Sequence, residues 1–452
     1  MTALRLAIAV ALAAPLAAYA TDGYFSHGYG MKAKGRGGAA TAMATDAFGG
    51  AVNPANMVWA GTRLDVGLDW FSPKRDASRS SSAGGMAGMD GSATSGRNHF
   101  LVPEFAYNRM LNPNLSLGVT VYGNGGMNTE YDGGQIGGGT ACRNFNPGGA
   151  AAAPFNLLCG TGKLGVDLMQ LIVAPTVAMK AGANHSFGFS QLFGYQRFKA
   201  EGLDGFNGFT PTPAGWPGNN SLTNRGHDTS TGWGFRLGWT GRITDSLTVG
   251  AAYSSKMRMK AFDKYKDLFA QQGDFDIPEN YNVGIAVKAS PALTIAADYQ
   301  RINYGGVRSV GNPSTLTGNA VAATGFTTGS LGCGDCRGFG WQNVNVFKLG
   351  VDYRYSPRLT LRGGINITDN PIDGRDVTFN IIAPGVVKNH ITLGFTYDID
   401  GSSEITMAYM HAFRNSVSAP SLFSRFIAGG SATETIRMHQ NSLGIAYSRT
   451  FK

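Results

Sequence analysis

The segment Gly232-Trp233-Gly234-Phe235-Arg236-Leu237-Gly238-Trp239 alternates between large apolar side chains and small or charged ones. Because successive side chains of a β-strand point to opposite faces, this segment predicts a strand with one apolar and one polar face. A soluble sandwich buries such an apolar face against a second sheet, whereas a membrane barrel turns it to lipid and keeps the polar face for its lumen. The connections between the strands distinguish these two folds.

The breaks in the alternation are of two kinds between Thr62 and Lys452. Short breaks with turn-forming residues, such as Ser290-Pro291 and Asp400-Gly401, alternate with long irregular ones. Seven long breaks and six short ones separate fourteen strands. Short turns at one end and long loops at the other are typical of an outer-membrane barrel. The predicted fold class is therefore all-β, a transmembrane antiparallel β-barrel of about 14 strands over residues 62–452.

The first twenty residues are typical of a cleavable signal peptide. Arg5 precedes the apolar stretch Leu6 to Ala14, and Ala18-Tyr19-Ala20 supplies a cleavage site with small residues at its first and third positions. We therefore expect residues 1–20 to be removed on export and the protein to lie in the outer membrane of a Gram-negative bacterium.

Composition agrees with a membrane barrel. Charged residues make up 15% of the chain, below the ~25% of typical soluble domains. The net charge of +9 comes from scattered basic residues, so the exported chain is not expected to bind nucleic acid. The expected use of this charge is contact with outer-membrane lipid and the anionic groups of lipopolysaccharide, or attraction of anionic ligands.

The four cysteines form two local pairs, Cys142 with Cys159 and Cys333 with Cys336. An even number of cysteines in an exported protein favours two disulfide bonds. The Cys333-Gly334-Asp335-Cys336 segment could also be half of a zinc site or a redox motif. No matching Cys or His cluster lies nearby in the sequence, so we expect no metal and no cofactor.

Residues 21–61 precede the barrel and do not alternate. A disordered periplasmic tail is one interpretation of this segment. Residues such as Tyr24, Phe25 and Trp59 make it too apolar for a solvated tail, and a barrel of this size has a lumen to fill. We therefore predict an N-terminal hatch that plugs the lumen and contains a short helix between Ala39 and Thr45.

The order of several motifs resembles one family of outer-membrane proteins. A glycine-rich start is followed by Asn53-Pro54-Ala55, Leu101-Val102-Pro103-Glu104-Phe105-Ala106-Tyr107, Ile277-Pro278-Glu279-Asn280-Tyr281-Asn282-Val283-Gly284 and Leu349-Gly350-Val351-Asp352-Tyr353-Arg354. Over nearly all of the mature chain, this order resembles the long-chain fatty-acid transporters, a family that includes channels for toluene, xylene and other hydrocarbons. The resemblance implies a passive channel for hydrophobic compounds, with Asn53, Pro54 and Ala55 as a motif of the hatch.

The resemblance also implies a side exit made by an inward kink in the third strand. In this chain Gly123, Gly125 and Gly126 follow the third strand and would permit such a kink. The alternative is an ordinary strand end that enters a glycine-rich loop. A lateral exit is physically sensible because a hydrophobic ligand gains nothing from entering the aqueous periplasm.

Two long loops carry unusually many apolar residues. The spacing of Phe262, Tyr265, Leu268 and Phe269 places an apolar stripe on one face of a helix. Phe206, Phe209 and Trp216 lie in the preceding loop. These seven residues are candidates for an extracellular groove that captures the ligand. Alternatively, they pack on one another over the barrel mouth.

Three cations are candidates for binding a ligand carboxylate in the lumen. Strand parity predicts that Arg236, Lys256 and Arg258 point inward. The alternative is that acidic residues on the same face, including Asp69 and Asp298, neutralise the lumen cations and anchor the hatch. The distinction matters because a fatty acid benefits from a cation, whereas a hydrocarbon needs none.

Other functions fit the sequence less well. The seven histidines lie in dispersed contexts without a recognisable serine-based motif, so an enzyme is not expected. A general porin has a wide aqueous lumen and lacks an apolar plug, and a loop-mediated adhesin or structural barrel would not explain the hatch. We expect a monomer whose partner is a hydrophobic small molecule, either a fatty acid or a hydrocarbon.

Overall fold

The computed structural model describes residues 22–146, 154–210, 221–316 and 329–451, so the predicted signal peptide lies outside the described residues. Fourteen long strands form the wall. They are β1 (Arg63–Ala83), β2 (Phe100–Asn112), β3 (Leu115–Asn128), β4 (Gly165–Ala181), β5 (His185–Glu201), β6 (Asp228–Arg242), β7 (Leu247–Ser254), β8 (Asn280–Lys288), β9 (Leu293–Ile302), β10 (Val344–Arg354), β11 (Leu359–Thr368), β12 (Asn389–Asp398), β13 (Ser403–Pro420) and β14 (Ser431–Thr450).

Each wall strand pairs antiparallel with its neighbours in the chain, and β14 pairs with β1 to close the barrel. The predicted barrel of fourteen strands is therefore confirmed. Two short strands extend the sheet, Gly91–Thr94 beside β1 and Arg258–Met259 beside β6. The short connections all lie at one end and the long ones at the other, which places the long loops outside the cell.

The alternation in β6 has the predicted orientation. Trp233 is 61% exposed on the outer face, whereas Arg236 is only 4% exposed and points into the lumen. The outer face of the wall carries many exposed apolar side chains, which form the lipid-facing band. They include Val66, Leu68, Trp70, Leu237, Ile285, Phe347, Leu349, Leu443, Ile445 and Tyr447.

Residues 22–61 lie inside the barrel, where most of their side chains are buried. This segment contains a short α-helix, Met31–Gly35, and two 3₁₀ helices, Phe48–Ala51 and Pro54–Trp59. The predicted helix over Ala39–Thr45 is wrong. The backbone N–H groups of Ala40 and Thr41 donate instead to the Asp298 carboxylate of β9, at 2.8 and 2.9 Å. We call residues 22–61 the hatch.

The remaining helices are single turns in the loops: Gly84–Met86, Cys142–Phe145, Asp204–Phe209, Asp263–Tyr265, Ala270–Gly273, Tyr304–Gly306, Arg308–Gly311, Gly374–Asp376, Phe379–Ile381 and Leu422–Arg425. None of the helices in the described ranges has the length and apolarity needed to cross a membrane.

Candidate functional site

The wall is interrupted on one side of β3. From Leu115 to Val121 this strand pairs with both β2 and β4, and its last pair with β2 is Val121 with Phe105. Residues 122–128 of β3 then pair with β4 alone, with a register shift between Gly123 and Gly125. Upstream of Phe105, β2 keeps its pairing with β1. The two strands therefore separate above Val121 and leave a gap in the hydrogen-bonded wall.

The tip of the hatch occupies the edge of β3 that β2 leaves free. Phe25 forms an antiparallel bridge with Gly125. The N–H of Ser26 donates to the carbonyl of Asn124 at 3.2 Å, and the N–H of Gly126 donates to the carbonyl of Tyr24 at 3.2 Å. These bonds satisfy backbone groups that the gap would otherwise leave unpaired. The glycines predicted at the kink thus lie where the hatch meets the wall.

Glycine is required sterically at position 125. A β-carbon built there would overlap the carbonyl group of Tyr24. The absence of a side chain therefore permits the close approach of two backbones, which is one of the common uses of glycine.

Tyr304 holds the hatch tip from the extracellular side. Its hydroxyl accepts hydrogen bonds from the N–H groups of Tyr24, at 3.1 Å, and Phe25, at 3.3 Å, and donates to the carbonyl of Asp22 at 2.5 Å. The rings of Tyr24 and Tyr304 lie 4.9 Å apart, and that of Trp341 packs on both. Sequence reasoning missed Tyr304 and Trp341, because both lie in a long loop with no periodic pattern.

The Asn53-Pro54-Ala55 motif seats the lower hatch against β6. The Asn53 side chain accepts from the N–H of Ala55 at 3.1 Å, which caps the 3₁₀ helix that Pro54 begins. Its amide group donates to the Trp239 carbonyl at 2.9 Å and the Thr240 hydroxyl at 3.0 Å. The motif thus both starts a helix and attaches that helix to the wall.

Acidic residues of the wall neutralise the cations of the hatch and attach the hatch to the barrel. Lys34 contacts Asp69 at 2.9 Å and Glu104 at 3.3 Å, and all three side chains are buried. Arg36 binds Asp352 at 2.8 Å. Two further pairs join the hatch to the wall, Lys32 with Glu404 at 2.5 Å and Asp22 with Lys348 at 3.7 Å. The lumen therefore holds a network of compensated charges between hatch and barrel.

Among the three candidate carboxylate ligands, only Arg236 points into the lumen. Its guanidinium donates to the Gly50 carbonyl at 2.6 Å, the Ser254 hydroxyl at 2.5 Å and the Tyr122 hydroxyl at 3.2 Å. Arg236 thus bonds to the hatch and to β3 in this conformation.

The predicted lumen position of Lys256 and Arg258 is wrong, since both side chains are exposed. Arg236 pairs with Ser254 and Trp233 pairs with Arg258, so three residues after Ser254 lie opposite two residues of β6. This extra residue is a β-bulge, and it reverses the parity that places side chains inside or outside. As a result, Met257 and Met259 are the buried residues of this segment.

The long extracellular loops fold together over the mouth of the barrel, and we call them the cap. The predicted capture residues lie in its core. Phe206, Phe262, Tyr265, Leu268 and Phe269 are buried, and Phe209 is half-buried. The rings of Phe262, Tyr265 and Phe269 pack on the end of β5, where Phe198 lies 4.8 Å from Tyr265 and 4.7 Å from Phe269. Phe206 instead stacks on Phe379 of another long loop, at 4.8 Å. Trp216 lies outside the described residues. The alternative that these loops pack on one another is thus what the structure shows, and a role in capture stays a prediction.

The helical stripe expected in the fourth long loop is not a continuous helix. Phe262 precedes one 3₁₀ turn, Asp263–Tyr265, and Phe269 precedes a separate turn, Ala270–Gly273. The apolar residues still share one buried side because the two turns fold over the same end of β5.

Two disulfide bonds lie within the cap, and a buried ion pair at the top of the wall binds two of its loops. Both predicted disulfides are present, Cys142–Cys159 and Cys333–Cys336. Arg79 and Glu434 form a fully buried ion pair at 2.6 Å, and the hydroxyls of Thr378 and Ser421 also donate to Glu434. Among the described residues, no group of three or more His, Cys, Asp or Glu residues could hold a metal ion.

The cap also contains a carboxyl group with an unusual titration. Burial raises the pKa of Asp274 to about 7, and the neighbouring Asp276 carboxylate adds to this effect, whereas Lys256 opposes it. Asp276 lies 3.6 Å from Lys256 and also accepts a hydrogen bond from the N–H of Met259.

The barrel, its hatch and the gap beside β3 can be compared with known proteins. Residues 159–451 match the family model described as outer membrane protein transport protein (OMPP1/FadL/TodX). The chain belongs to this family. Its members are outer-membrane transport channels for hydrocarbons and fatty acids, so this protein is an outer-membrane barrel of a transport family. No curated protein matches the chain in sequence.

Solved structures show the same fold at low sequence identity. The toluene transporter TodX of P. putida is 20% identical, with a TM-score of 0.63 and coverage of 94% of this chain and 99% of that one. The Ralstonia pickettii toluene transporter TbuX is 18% identical, with a TM-score of 0.61 and coverage of 94% and 99%. A Pseudomonas aeruginosa FadL homologue is 14% identical, with a TM-score of 0.66 and coverage of 95% and 100%.

Proposed function

We propose that this protein is a passive channel that carries hydrophobic compounds across the outer leaflet and releases them sideways through the gap between β2 and β3. The observation that carries this proposal is the separation of these strands above Val121, with the hatch tip bonded to the free edge of β3. A hydrophobic ligand that leaves through the wall stays in an apolar medium and avoids the cost of hydration.

The charges in the lumen favour an uncharged hydrocarbon over a fatty acid. The hatch cations Lys32, Lys34 and Arg36 and the wall cation Lys348 each contact a carboxylate, and Arg236 donates to three oxygen atoms of the protein. A ligand carboxylate would have to displace one of these partners, whereas a hydrocarbon needs none. The structural relatives described as toluene transporters agree with this preference.

A general porin and an adhesin are the alternatives. The hatch fills the lumen with buried side chains, so we expect the purified protein to show almost no steady ion conductance in planar bilayers, whereas a porin conducts continuously. We also propose that a single chain forms the channel, since β14 pairs with β1 of the same molecule. A mass in detergent above that of one chain would contradict this.

Uptake by cells tests the transport function. Cells that lack the gene and cells that express it are compared for the entry of toluene, a linear alkane and a long-chain fatty acid. We expect expression to accelerate entry of the hydrocarbons more than entry of the fatty acid. Equal entry of all three compounds in both cells would refute the transport function, and acceleration of the fatty acid alone would refute the hydrocarbon preference.

The side exit needs a separate test. Valine at Gly123, Gly125 and Gly126 should favour a continuous strand, which allows β3 to pair further with β2 and narrows the gap. We expect the G123V/G125V/G126V variant to assemble and to lose uptake. Uptake at the normal rate by the assembled variant would contradict release through this gap.

A further inference from the structure

A cluster of cations lies on the outer face of the barrel, directly above the apolar band. On β1 the outward side chains change from the exposed Trp70 to Lys74 and Asp76. On β14 they change from the exposed Leu443 to His439 and Arg437. Because Trp70 pairs with Leu443 and Lys74 pairs with His439, the two strands change from apolar to charged at the same height. We call Lys74, Arg414 and Arg437 the basic cluster.

The third member of the cluster comes from β13. A register shift between Ala412 and Asn415 inserts a bulge opposite β14 and turns Arg414 outward. The Arg414 guanidinium lies 2.9 Å from Asp76, and that of Arg437 also lies 2.9 Å from Asp76. Three adjacent strands thus bring two guanidinium groups to one carboxylate.

The cluster retains a positive charge after this pairing. Two guanidinium groups contact a single carboxylate, Lys74 lies on the same outer face, and the Arg414 side chain is 60% exposed. Each guanidinium carries five N–H groups, and one carboxylate cannot occupy all of those of two arginines. The remaining donors lie on the outer face, between the apolar band below and the extracellular loops above.

Outer-leaflet lipid is the partner that is always present at the level of the basic cluster. The long loops mark the extracellular end, so the boundary above Trp70 and Leu443 is the level of the outer-leaflet headgroups. Exposed Phe413 and Tyr409 lie on the same face of β13, below Arg414, and offer contact to acyl chains. Arginine binds phosphate oxygens in a bidentate manner, and each cation near an anionic lipid surface adds about a factor of five in affinity.

We propose that the basic cluster binds a phosphate group of lipopolysaccharide. The acyl chains of this lipid would cover the apolar band next to β2, whose other edge borders the gap. The site is independent of which compound the channel carries.

Binding of lipid A to the full-length purified protein tests this proposal. Native mass spectrometry in detergent compares bisphosphorylated lipid A, lipid A without phosphate, and inorganic phosphate. We expect bisphosphorylated lipid A to bind best and the K74Q/R414Q/R437Q variant to bind it at least about tenfold more weakly. The matched control is K256Q/R258Q/K260Q, which also removes three exposed cations. Lys256 pairs with Asp276 and Lys260 pairs with Asp263, so these cations do not share one carboxylate as Arg414 and Arg437 do.

Several results would overturn the proposal. These are equal binding by the wild type and the cluster variant, an equal loss in the control variant, and binding of inorganic phosphate as tight as that of lipid A. If the cluster variant does not assemble, D76N provides the test, because it removes the competing carboxylate without removing a cation. We expect D76N to bind bisphosphorylated lipid A severalfold more tightly than the wild type, and unchanged or weaker binding refutes the site.

Discussion

The carbonyl group of Tyr24 in the hatch lies against Gly125 of β3, in the space that a side chain at position 125 would fill. An irregular segment of the hatch and a strand of the wall therefore meet here. Under the proposed lateral release, this contact connects the two parts that must move apart for a ligand to leave.

Alanine at position 125 should detach the hatch tip. The new β-carbon overlaps the Tyr24 carbonyl, so the hydrogen bonds of Tyr24 and Ser26 with β3 must lengthen or break. Because Gly123 and Gly126 keep the strand bent, the gap stays open while its cover loosens. We expect hydrogen exchange of residues 22–30 to accelerate and hydrocarbon uptake to rise severalfold in G125A.

Gly363 provides the control for this prediction. It lies in β11, and a β-carbon there meets its nearest atoms at 3.8 and 3.9 Å, which is ordinary contact. G363A should leave both measurements unchanged. If G125A exchanges and transports like the wild type, the hatch tip does not limit passage through the gap.

Removal of the Tyr304 hydroxyl should loosen the same segment from the other side. Y304F loses two accepted hydrogen bonds and one donated bond, and it leaves the N–H groups of Tyr24 and Phe25 without this acceptor. At about 1 kcal/mol for each of these three hydrogen bonds, we expect opening of the tip to become on the order of a hundredfold more frequent. Hydrogen exchange measures this opening directly.

Tyr253 is a suitable comparison because its hydroxyl donates to Glu279 on the exposed surface. Y253F removes a tyrosine hydroxyl without touching the hatch and should exchange at residues 22–30 like the wild type. If residues 22–30 exchange as slowly in Y304F as in the wild type, the hydrogen bonds with β3 are sufficient to hold the hatch tip.

The face of the barrel that a side chain occupies could be predicted from the sequence only where the strands pair regularly. The alternation identified the strands because lipid and lumen demand opposite side chains at successive positions, as in Arg236 and Leu237. It failed after Ser254, where a single bulge reversed the faces of Lys256 and Arg258. A one-residue bulge leaves no compositional signal, so only the paired strand reveals it.

The candidate site was predictable only in part for a similar reason. Glycines 123, 125 and 126 were visible as an interruption, but the bonds of Gly126 to Tyr24 and of Asn124 to Ser26 join positions about 100 residues apart. Tyr304 was not predictable, because its loop has no period and its role depends on the three-dimensional position of the hatch. Long-range contacts of this kind can be recognised only once the structure of the closed barrel is known.

The buried Lys34 should be essential for keeping the hatch in the lumen. K34M leaves the carboxylates of Asp69 and Glu104 buried without this cation, and breaking a buried pair in this way costs about 3–5 kcal/mol. We expect the variant to conduct ions in planar bilayers, with frequent openings that the wild type lacks.

Neutralising the whole group provides the control. The K34M/D69N/E104Q variant has no unpaired charge, so its hatch should return and its conductance should fall towards that of the wild type. If K34M shows no ion conductance, this network is not needed to keep the hatch in place. If K34M and K34M/D69N/E104Q conduct equally, the substitutions have damaged the lumen in general.

The cap loop around Asp274 should lose stability as the pH rises. In the unfolded loop this carboxyl titrates near its ordinary pKa of 3.8, whereas in the folded loop burial and Asp276 raise its pKa to about 7. Between these values the unfolded form releases a proton that the folded form retains. The free energy of loop opening should therefore fall from pH 4 to pH 7 and stay constant above it.

Hydrogen exchange of residues 261–276, corrected for the intrinsic rate at each pH, measures this dependence. D274N carries no such proton, so its loop should show little change in opening between pH 5 and pH 8 and should be more protected than the wild type at pH 8. D263N removes an exposed carboxylate from the same loop and should keep the slope of the wild type. A slope that persists in D274N would assign the pH dependence to another group of the cap, since Asp274 would then titrate alike in the open and closed loop.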